Sequence, residues 1–268
     1  MLRRVNVRLE LDVAEPAELI LSIAVARDGG YESIAEELSV TADGEPVRAQ
    51  EVIDAHGGVL HVLRPRSAAR FVVDYTARVA GKAASPPVDE LDLIHYRRPS
   101  RYVESDELLA TAAAELRGRS GAELLDTVTD WVHRRLAYVS GSSRPTDGAV
   151  RTFLSRQGVC RDFAHLTIAM LRACDVPARL ASVYAPGLSP MDFHAVTEAY
   201  VEDRWHVVDP TMLAPRSSLL RIATGRDAAD TAFLTTYEGV VTLRGMQVGA
   251  VVDPELPADD RAAPEQLR

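Results

Sequence analysis

Residues 156–174, "RQGVCRDFAHLTIAMLRAC", hold both cysteines of the 268-residue chain. Cys160 follows a glycine and opens an apolar run, so it is predicted to begin a helix. There, free backbone N–H groups and the positive end of the helix dipole favour a thiolate. A helix over residues 160–174 would separate the cysteines by about 21 Å, too far for a disulfide. Cys160 is a candidate nucleophile or a plain buried cysteine, and Cys174 is predicted to be a structural thiol.

A nucleophilic thiol needs an imidazole to take its proton and a polar group to orient that imidazole. Two histidines, His194 and His206, lie in strands predicted after the helix. Because side chains alternate along a strand, His194 lies on one face of its strand, and Asp209 shares a face with Trp205 on the next. If the turn at residues 202–204 joins these faces, His194 meets Asp209 and His206 is excluded. A slip of one residue would separate them.

Two segments resemble the bacterial transglutaminase-like family: "GVCRDFAHLTIAMLRACDVPARLASVY" (158–184) and "DFHAVTEAYVEDRWHVVDPT" (192–211). The flanking segments "LIHYRRPSRYVESDEL" (93–108) and "IATGRDAADTAFLTTYEGV" (222–240) resemble it as well. The resemblance implies an α+β fold with a papain- or transglutaminase-like core of helices packed on an antiparallel sheet. A small all-β sandwich domain is expected to precede that core.

The same resemblance implies roles for three residues. Cys160 would be the nucleophile, His194 the general base and then acid, and Asp209 the group that orients the imidazole. The implied reaction is transfer or hydrolysis of an amide acyl group on a peptide or protein substrate, through a thioester and without a cofactor. The alternatives are a non-catalytic peptide- or protein-binding module that keeps the fold, and a zinc protein. The usual short pairs of zinc ligands are missing from the sequence, so no metal is expected.

An oxyanion formed in such a reaction needs hydrogen-bond donors, and the backbone N–H of Cys160 is the natural first one. Candidates for a second donor, or for a supporting position beside the site, are Gln157, Tyr138, Trp131, His165 and Asp162. His165 lies about 500° round the helix from Cys160, which favours a packing or supporting role. Asp162, in the first helical turn, is expected to cap the helix or to hold Arg161 or a neighbouring loop.

The periodicity divides the chain into three parts. Residues 1–82 alternate in about six short strands, which predicts a sandwich, and a proline-rich linker follows near 80–90. Residues 90–252 are predicted to form the catalytic domain and residues 253–268 a flexible tail. Within the catalytic domain we expect helices at about 105–117, 120–136 and 148–158 before the Cys160 helix, then strands at 178–185, 193–201, 205–210 and 239–252.

Composition limits the partners. The net charge is −9 and the arginines are scattered, which argues against nucleic acid or an anionic membrane as the main partner. Acidic residues interrupt the N-terminal apolar pattern, and the apolar run at residues 19–26 is far too short to span a bilayer. We therefore expect a cytoplasmic protein; the pattern specifies no oligomeric state.

Overall fold

The computed structural model describes residues 1–27, 29–261 and 263–268. The strands are β1 (Leu2–Val13), β2 (Glu18–Leu21), β3 (Ser33–Ala42), β4 (Glu45–Pro46), β5 (Gln50–Ile53), β6 (Val59–Leu63), β7 (Ala69–Ala80), β8 (Ala137–Tyr138), β9 (Gln157–Gly158), β10 (Ala178–Tyr184), β11 (His194–Val201), β12 (Arg204–Val208), β13 (Leu220–Gly225), β14 (Leu234–Tyr237) and β15 (Val241–Asp253). The helices are α1 (Glu90–His95), α2 (Leu109–Glu115), α3 (Gly121–Arg135), α4 (Ala149–Ser155), α5 (Cys160–Arg172) and α6 (Ala228–Thr231). None of these described helices combines the length and the apolar character of a membrane span.

The N-terminal strands form the expected sandwich of two antiparallel sheets. One sheet has the order β15-β1-β7-β3-β4 and the other β14-β2-β6-β5. Alternate residues of β1 point inward, so that Val5, Val7, Leu9 and Leu11 are all buried in one core. The strict alternation in the sequence is the physical reason, because every second side chain of a strand faces the same side.

Two strands from the other end of the chain, β14 and β15, complete the sandwich. The predicted boundaries, 1–82 for the sandwich and 90–252 for the catalytic domain, had placed these strands in the catalytic domain. In β15, Val248 lies opposite Val7 of β1, and in β14, Leu234 lies opposite Leu21 of β2. The sequence predicted a strand within 239–252 but not its partner. Pairing over more than 200 residues is set by which sheet offers a free edge, and local periodicity carries no such information.

The second layer is the predicted arrangement of helices on an antiparallel sheet, with strand order β12-β11-β10-β13. Helix α5 packs on β11, where the Thr197 hydroxyl donates to the carbonyl of Ala164. β13 was not predicted. Three predicted helices have other bounds. α2 begins at Leu109, and Ser105 is buried instead of capping it. α4 ends at Ser155, with Gln157 and Gly158 in β9, and α5 ends at Arg172.

The predicted flexible tail instead packs against the sheet. Among the described residues after β15, Leu267 is only 1% exposed and joins a cluster beneath the sheet. The N–H of Val207, on the outer edge of β12, donates to the carbonyl of Glu265 at 2.8 Å. The tail thereby covers part of an edge strand, which would otherwise present unpaired backbone groups. The mostly polar composition of the tail gave no indication that Leu267 would be buried.

A buried ion cluster joins three strands of the same sheet. Glu198 on β11 accepts bonds from Arg179 on β10 at 2.9 Å and from Arg221 on β13 at 2.7 and 2.8 Å. Burial acts against ionisation, but the two guanidinium groups outweigh it and lower the pKa of Glu198 to about 2. The carboxylate is therefore charged and held between two cations throughout the neutral range.

We predict that Glu198→Gln destabilises the fold by about 3–5 kcal/mol at neutral pH, because it removes the buried carboxylate that both guanidinium groups bind. The contribution of a carboxylate with a lowered pKa is complete above its ordinary value of 4.5 and is lost as the pH falls toward about 2. The difference in unfolding free energy between wild type and variant should shrink below about pH 4.5. Urea denaturation over a pH series measures this, with the exposed Glu107→Gln as control. Equal stability of the two variants at neutral pH would contradict it.

Candidate active site

Cys160 is presented by a tight turn between α4 and α5. Strand β9 pairs in parallel with β8, and the N–H of Val139 donates to the carbonyl of Gly158. A Cβ atom at Gly158 would lie 2.5 Å from the Cβ of Asp162, so only glycine fits there. Cys160 is the first residue of α5 and is partly exposed. Its N–H consequently belongs to the first turn, where the helix supplies no acceptor.

Asp162 fixes this turn and the loop beside it. Its carboxylate accepts from the N–H of Val159 at 2.8 Å and from the hydroxyl of Ser143 at 3.0 Å. Arg161 donates to the same hydroxyl and to the carbonyl of Arg144. The expected capping contact and the expected contact to a neighbouring loop are therefore both present.

His194 and Asp209 meet in the register that strand parity required. Thr197 lies opposite Val208 across β11 and β12, which places His194 and Asp209 on the other face. The Nε2 of His194 donates to Oδ2 of Asp209 at 2.8 Å, and both side chains are buried. His206, by contrast, donates through Nε2 to the carbonyl of Val201 and is not part of this pair.

The pair sets the charge of the imidazole. Burial of the ring acts against protonation, but the charge and hydrogen bond of Asp209, with a smaller effect from Cys160, raise the pKa of His194 to about 10. Burial likewise opposes ionisation of Asp209, yet His194 and Thr211 lower its pKa. Among the described residues, Nδ1 of His194 makes no hydrogen bond in this resting arrangement, although the Cys160 thiol is close enough to affect the ring. The protonated ring therefore places a positive charge beside the Cys160 thiol at neutral pH.

Of the remaining candidates, Tyr138 is the one that the structure places at Cys160. Burial, together with the neighbouring Cys160 thiol, raises the pKa of Tyr138 to about 12, and the Cys160 N–H is directed at its hydroxyl. The ring rests against Phe163 of α5 with centroids 5.8 Å apart. Trp131 is not available as a donor, because its indole N–H already binds Glu115 at 3.0 Å.

Two other candidates have separate environments. The side chain of Gln157 is exposed on β9, ahead of the turn. His165 is fully buried, stacks on Tyr102 with centroids 5.4 Å apart, and accepts the N–H of Ala228 at 3.1 Å. Burial lowers the pKa of His165 to about 3, so the ring is neutral. Its contacts are those of a residue that holds α5 against α6.

One residue of the site escaped the sequence analysis. Thr211 donates to Oδ1 of Asp209 through its N–H at 3.0 Å and through its hydroxyl at 2.7 Å. The sequence Asp-Pro-Thr carried the signal, since an aspartate readily accepts from the backbone two residues later. No group of three or more His, Cys, Asp or Glu side chains in the described part of the chain is placed to hold a metal ion.

Comparison with known proteins identifies a family and a relative that matches nearly the whole chain. The profile of the Transglutaminase-like superfamily matches residues 110–210. A Cytophaga hutchinsonii protein of known structure, described as a candidate cysteine protease, is 32% identical, with 97% of this chain and 93% of that chain covered and a TM-score of 0.86.

Two uncharacterized mycobacterial proteins match a shorter segment. The Mycobacterium leprae protein is 31% identical over 127 residues, which is 43% of this chain and 43% of that protein. A Mycobacterium tuberculosis protein is 32% identical over 124 residues, covering 40% of this chain and 39% of that protein. The matched segment thus spans less than half of these two relatives.

We predict that Asp209→Asn lowers the titration midpoint of the His194 ring from about 10 by about 1–3 pH units, because the anion that stabilises the imidazolium is lost. The stabilisation that protonated His194 gives the wild-type fold is complete below its ordinary value of 6.5 and disappears as the pH rises through about 10. NMR titration of the imidazole signals measures the midpoint. The exposed Asp203→Asn serves as control, and an unchanged midpoint in Asp209→Asn would refute the pairing.

Proposed function

Because the chain belongs to the transglutaminase-like family, we propose that it is a cysteine-dependent amidase, peptidase or acyltransferase acting on a peptide or protein. One observation carries this proposal. The buried His194 binds Asp209 through Nε2 at 2.8 Å, which leaves Nδ1 as the nitrogen for the Cys160 thiol at the start of α5. A nucleophile, a base and an orienting carboxylate thereby come from three separate elements.

The proposed reaction begins from a thiolate and an imidazolium. The thiolate of Cys160 attacks the amide carbonyl, and the C–N bond breaks as protonated His194 gives its proton to the leaving nitrogen. His194, now neutral, accepts a proton from water or from an amine that attacks the thioester, and Cys160 leaves as the thiolate. Asp209 keeps the ring oriented and stabilises its cation, which is the state that the raised pKa of His194 favours.

The oxyanion of the tetrahedral intermediate would be held by two donors. The first is the N–H of Cys160, which has no acceptor within α5. The second is the hydroxyl of Tyr138, which lies beside that same N–H. In the resting protein, the hydroxyl oxygen of Tyr138 accepts the hydrogen bond from the Cys160 N–H that the substrate oxygen would accept during the reaction. Tyr138 is 44% exposed, so its ring has room to shift as substrate enters.

We predict that iodoacetamide alkylates Cys160 at least about tenfold faster than Cys174 in the folded protein. Burial and the neighbouring Asp175 raise the pKa of Cys174 and keep it a thiol, whereas Cys160 faces the His194 imidazolium. Peptide mapping by mass spectrometry after timed labelling measures both rates. In His194→Ala, labelling of Cys160 should slow while that of Cys174 stays the same, so each sample contains its own control. Equal rates at the two cysteines in wild type would overturn the proposal.

We predict that Tyr138→Phe slows formation of the acyl adduct by about 10–1,000-fold, because one oxyanion donor is lost. Alkylation by iodoacetamide forms no oxyanion, so its rate at Cys160 should change by less than about threefold. Intact-mass trapping of the adduct from a peptide library measures acylation, with Cys160→Ala as the blank and the exposed Tyr237→Phe as the matched control.

The paired rates separate the possible roles. If Tyr138→Phe slows acyl-adduct formation and iodoacetamide alkylation by the same factor, the tyrosine positions the thiol instead of binding the oxyanion. If wild type forms no acyl adduct from any peptide although Cys160 is readily alkylated, the catalytic proposal fails, and a peptide-binding module on the same fold takes its place.

A further inference from the structure

Asp209 lies in a tight turn that determines where its carboxylate points. The turn comprises residues 209–212, directly after β12, and the N–H of Met212 donates to the carbonyl of Asp209 at 3.3 Å. Met212 has a φ of 58°, which is uncommon for a residue other than glycine. Backbone strain of this kind persists only where the surrounding structure holds it. Contacts that reach the turn from other elements are therefore candidates for positioning Asp209.

One such contact comes from α3. The Nδ1 of His133, in the last turn of that helix, donates to the carbonyl of Pro210 at 2.8 Å. A carbonyl oxygen can only accept, so Nδ1 carries a proton in the neutral ring and in the protonated ring alike. Pro210 is buried, and among the described residues no other group donates to its carbonyl. His133 therefore satisfies an acceptor on a buried residue, where such groups are normally paired.

The carbonyl of Pro210 and the N–H of Thr211 belong to the same peptide group. This peptide is trans and planar, so the two groups point in opposite directions and move together. The N–H of Thr211 binds Oδ1 of Asp209 at 3.0 Å, and His133 binds the carbonyl at the other end. Hydrogen bonds in a chain polarise one another, so the bond accepted by the carbonyl also strengthens the N–H as a donor. His133 is thus connected to Asp209 through a single rigid group.

The connection continues to the imidazole. Thr211 holds Oδ1 of Asp209 through its N–H and its hydroxyl, and Oδ2 accepts from Nε2 of His194 at 2.8 Å. The two oxygens belong to one carboxylate, so the donors at Oδ1 determine how directly Oδ2 faces the ring. A carboxylate that turns away from Nε2 loses the hydrogen bond and part of the charge interaction.

We propose that His133 is a positioning residue for the candidate active site. Through the peptide group that follows Pro210, it holds the Asp209 carboxylate in line with His194. As a statement about the reaction this rests on the proposed function, but the hydrogen bonds that it concerns can be measured without a substrate. A role limited to packing α3 on the sheet would leave the Asp209–His194 pair unchanged.

The test compares two substitutions by NMR titration of the full chain. His133→Leu removes the donor, whereas His133→Asn places an amide N–H at about the position of Nδ1. In His133→Leu we expect the titration midpoint of the His194 ring to fall from about 10 by about 0.5–1 pH unit, because part of the interaction with Asp209 is lost. The fall is smaller than in Asp209→Asn because the Thr211 hydroxyl still holds the carboxylate. In His133→Asn the midpoint should lie within about 0.2 pH unit of wild type.

The amide proton of Thr211 gives a more local readout. In His133→Leu its signal should move upfield and its exchange with solvent should accelerate at least about threefold, because the N–H binds Oδ1 of Asp209 less well. His133→Asn should restore both properties. Residues that only pack α3 on the sheet would not reproduce this pattern of loss and rescue.

The controls isolate the effect of Asp209. The other charged or titratable groups that act on the His194 ring, Cys160 and Asp192, are the same in every variant. His95→Leu removes an exposed histidine from the last turn of α1 and should change neither the midpoint nor the Thr211 amide. Thermal melting verifies that each variant is folded.

Two results would overturn the inference. A midpoint that is unchanged or raised in a folded His133→Leu protein would mean that the turn orients Asp209 without help from α3. A fall of the same size in His133→Asn would mean that the shape of the ring matters and its N–H donor does not.

Acylation separates this inference from the proposed function. If wild type forms an acyl adduct, His133→Leu should slow its formation at least about threefold and His133→Asn should restore it, because a misplaced imidazole transfers its proton less readily. An unchanged rate in His133→Leu would overturn the part of the inference that concerns the reaction. If wild type forms no adduct, the proposed function fails, and the titration midpoint alone decides whether His133 positions the pair.

Discussion

The register between β11 and β12 is the constraint on which the candidate site depends. It places His194 and Asp209 on one face and His206 on the other. A shift by one residue would exchange the two faces and leave a buried carboxylate without its imidazole. The turn at Glu202–Asp203 fixes this register, because both residues have positive φ angles of 52° and 62°, as in a two-residue hairpin turn.

Burial strengthens the interaction between His194 and Asp209, and it also requires that both charged groups have hydrogen-bond partners. Two charges taken out of water are costly unless each finds a partner with good geometry. His194 satisfies one oxygen of Asp209 and Thr211 the other, so the carboxylate stays ionised inside the protein. The imidazolium that results faces Cys160 at a helix N-terminus, where the helix dipole also favours negative charge. The positive charge beside the Cys160 thiol therefore depends on the hydrogen bonds that Asp209 makes with His194 and Thr211.

The sequence predicted the elements governed by local rules. The alternation of side chains along a strand was sufficient to predict that His194 and Asp209 share a face. The position of Asp162 in the first helical turn was sufficient to predict that it caps the helix. The features that were missed depend on distant parts of the chain. β15 completes the N-terminal sandwich, and Leu267 anchors a tail whose composition suggested flexibility. A hydrophobic anchor or a free sheet edge can be assigned only once the rest of the fold is known.

The sandwich and the candidate site are mechanically connected through β11. Four residues after His194 on the same face, Glu198 is held by Arg179 and Arg221. The backbone carbonyl of Arg221 accepts the N–H of Ala26, which belongs to the N-terminal sandwich. Tilting β11 would pull Glu198 from its buried cations, a change that costs several kcal/mol. The sandwich is thus joined, through Arg221 and Glu198, to the strand that carries His194.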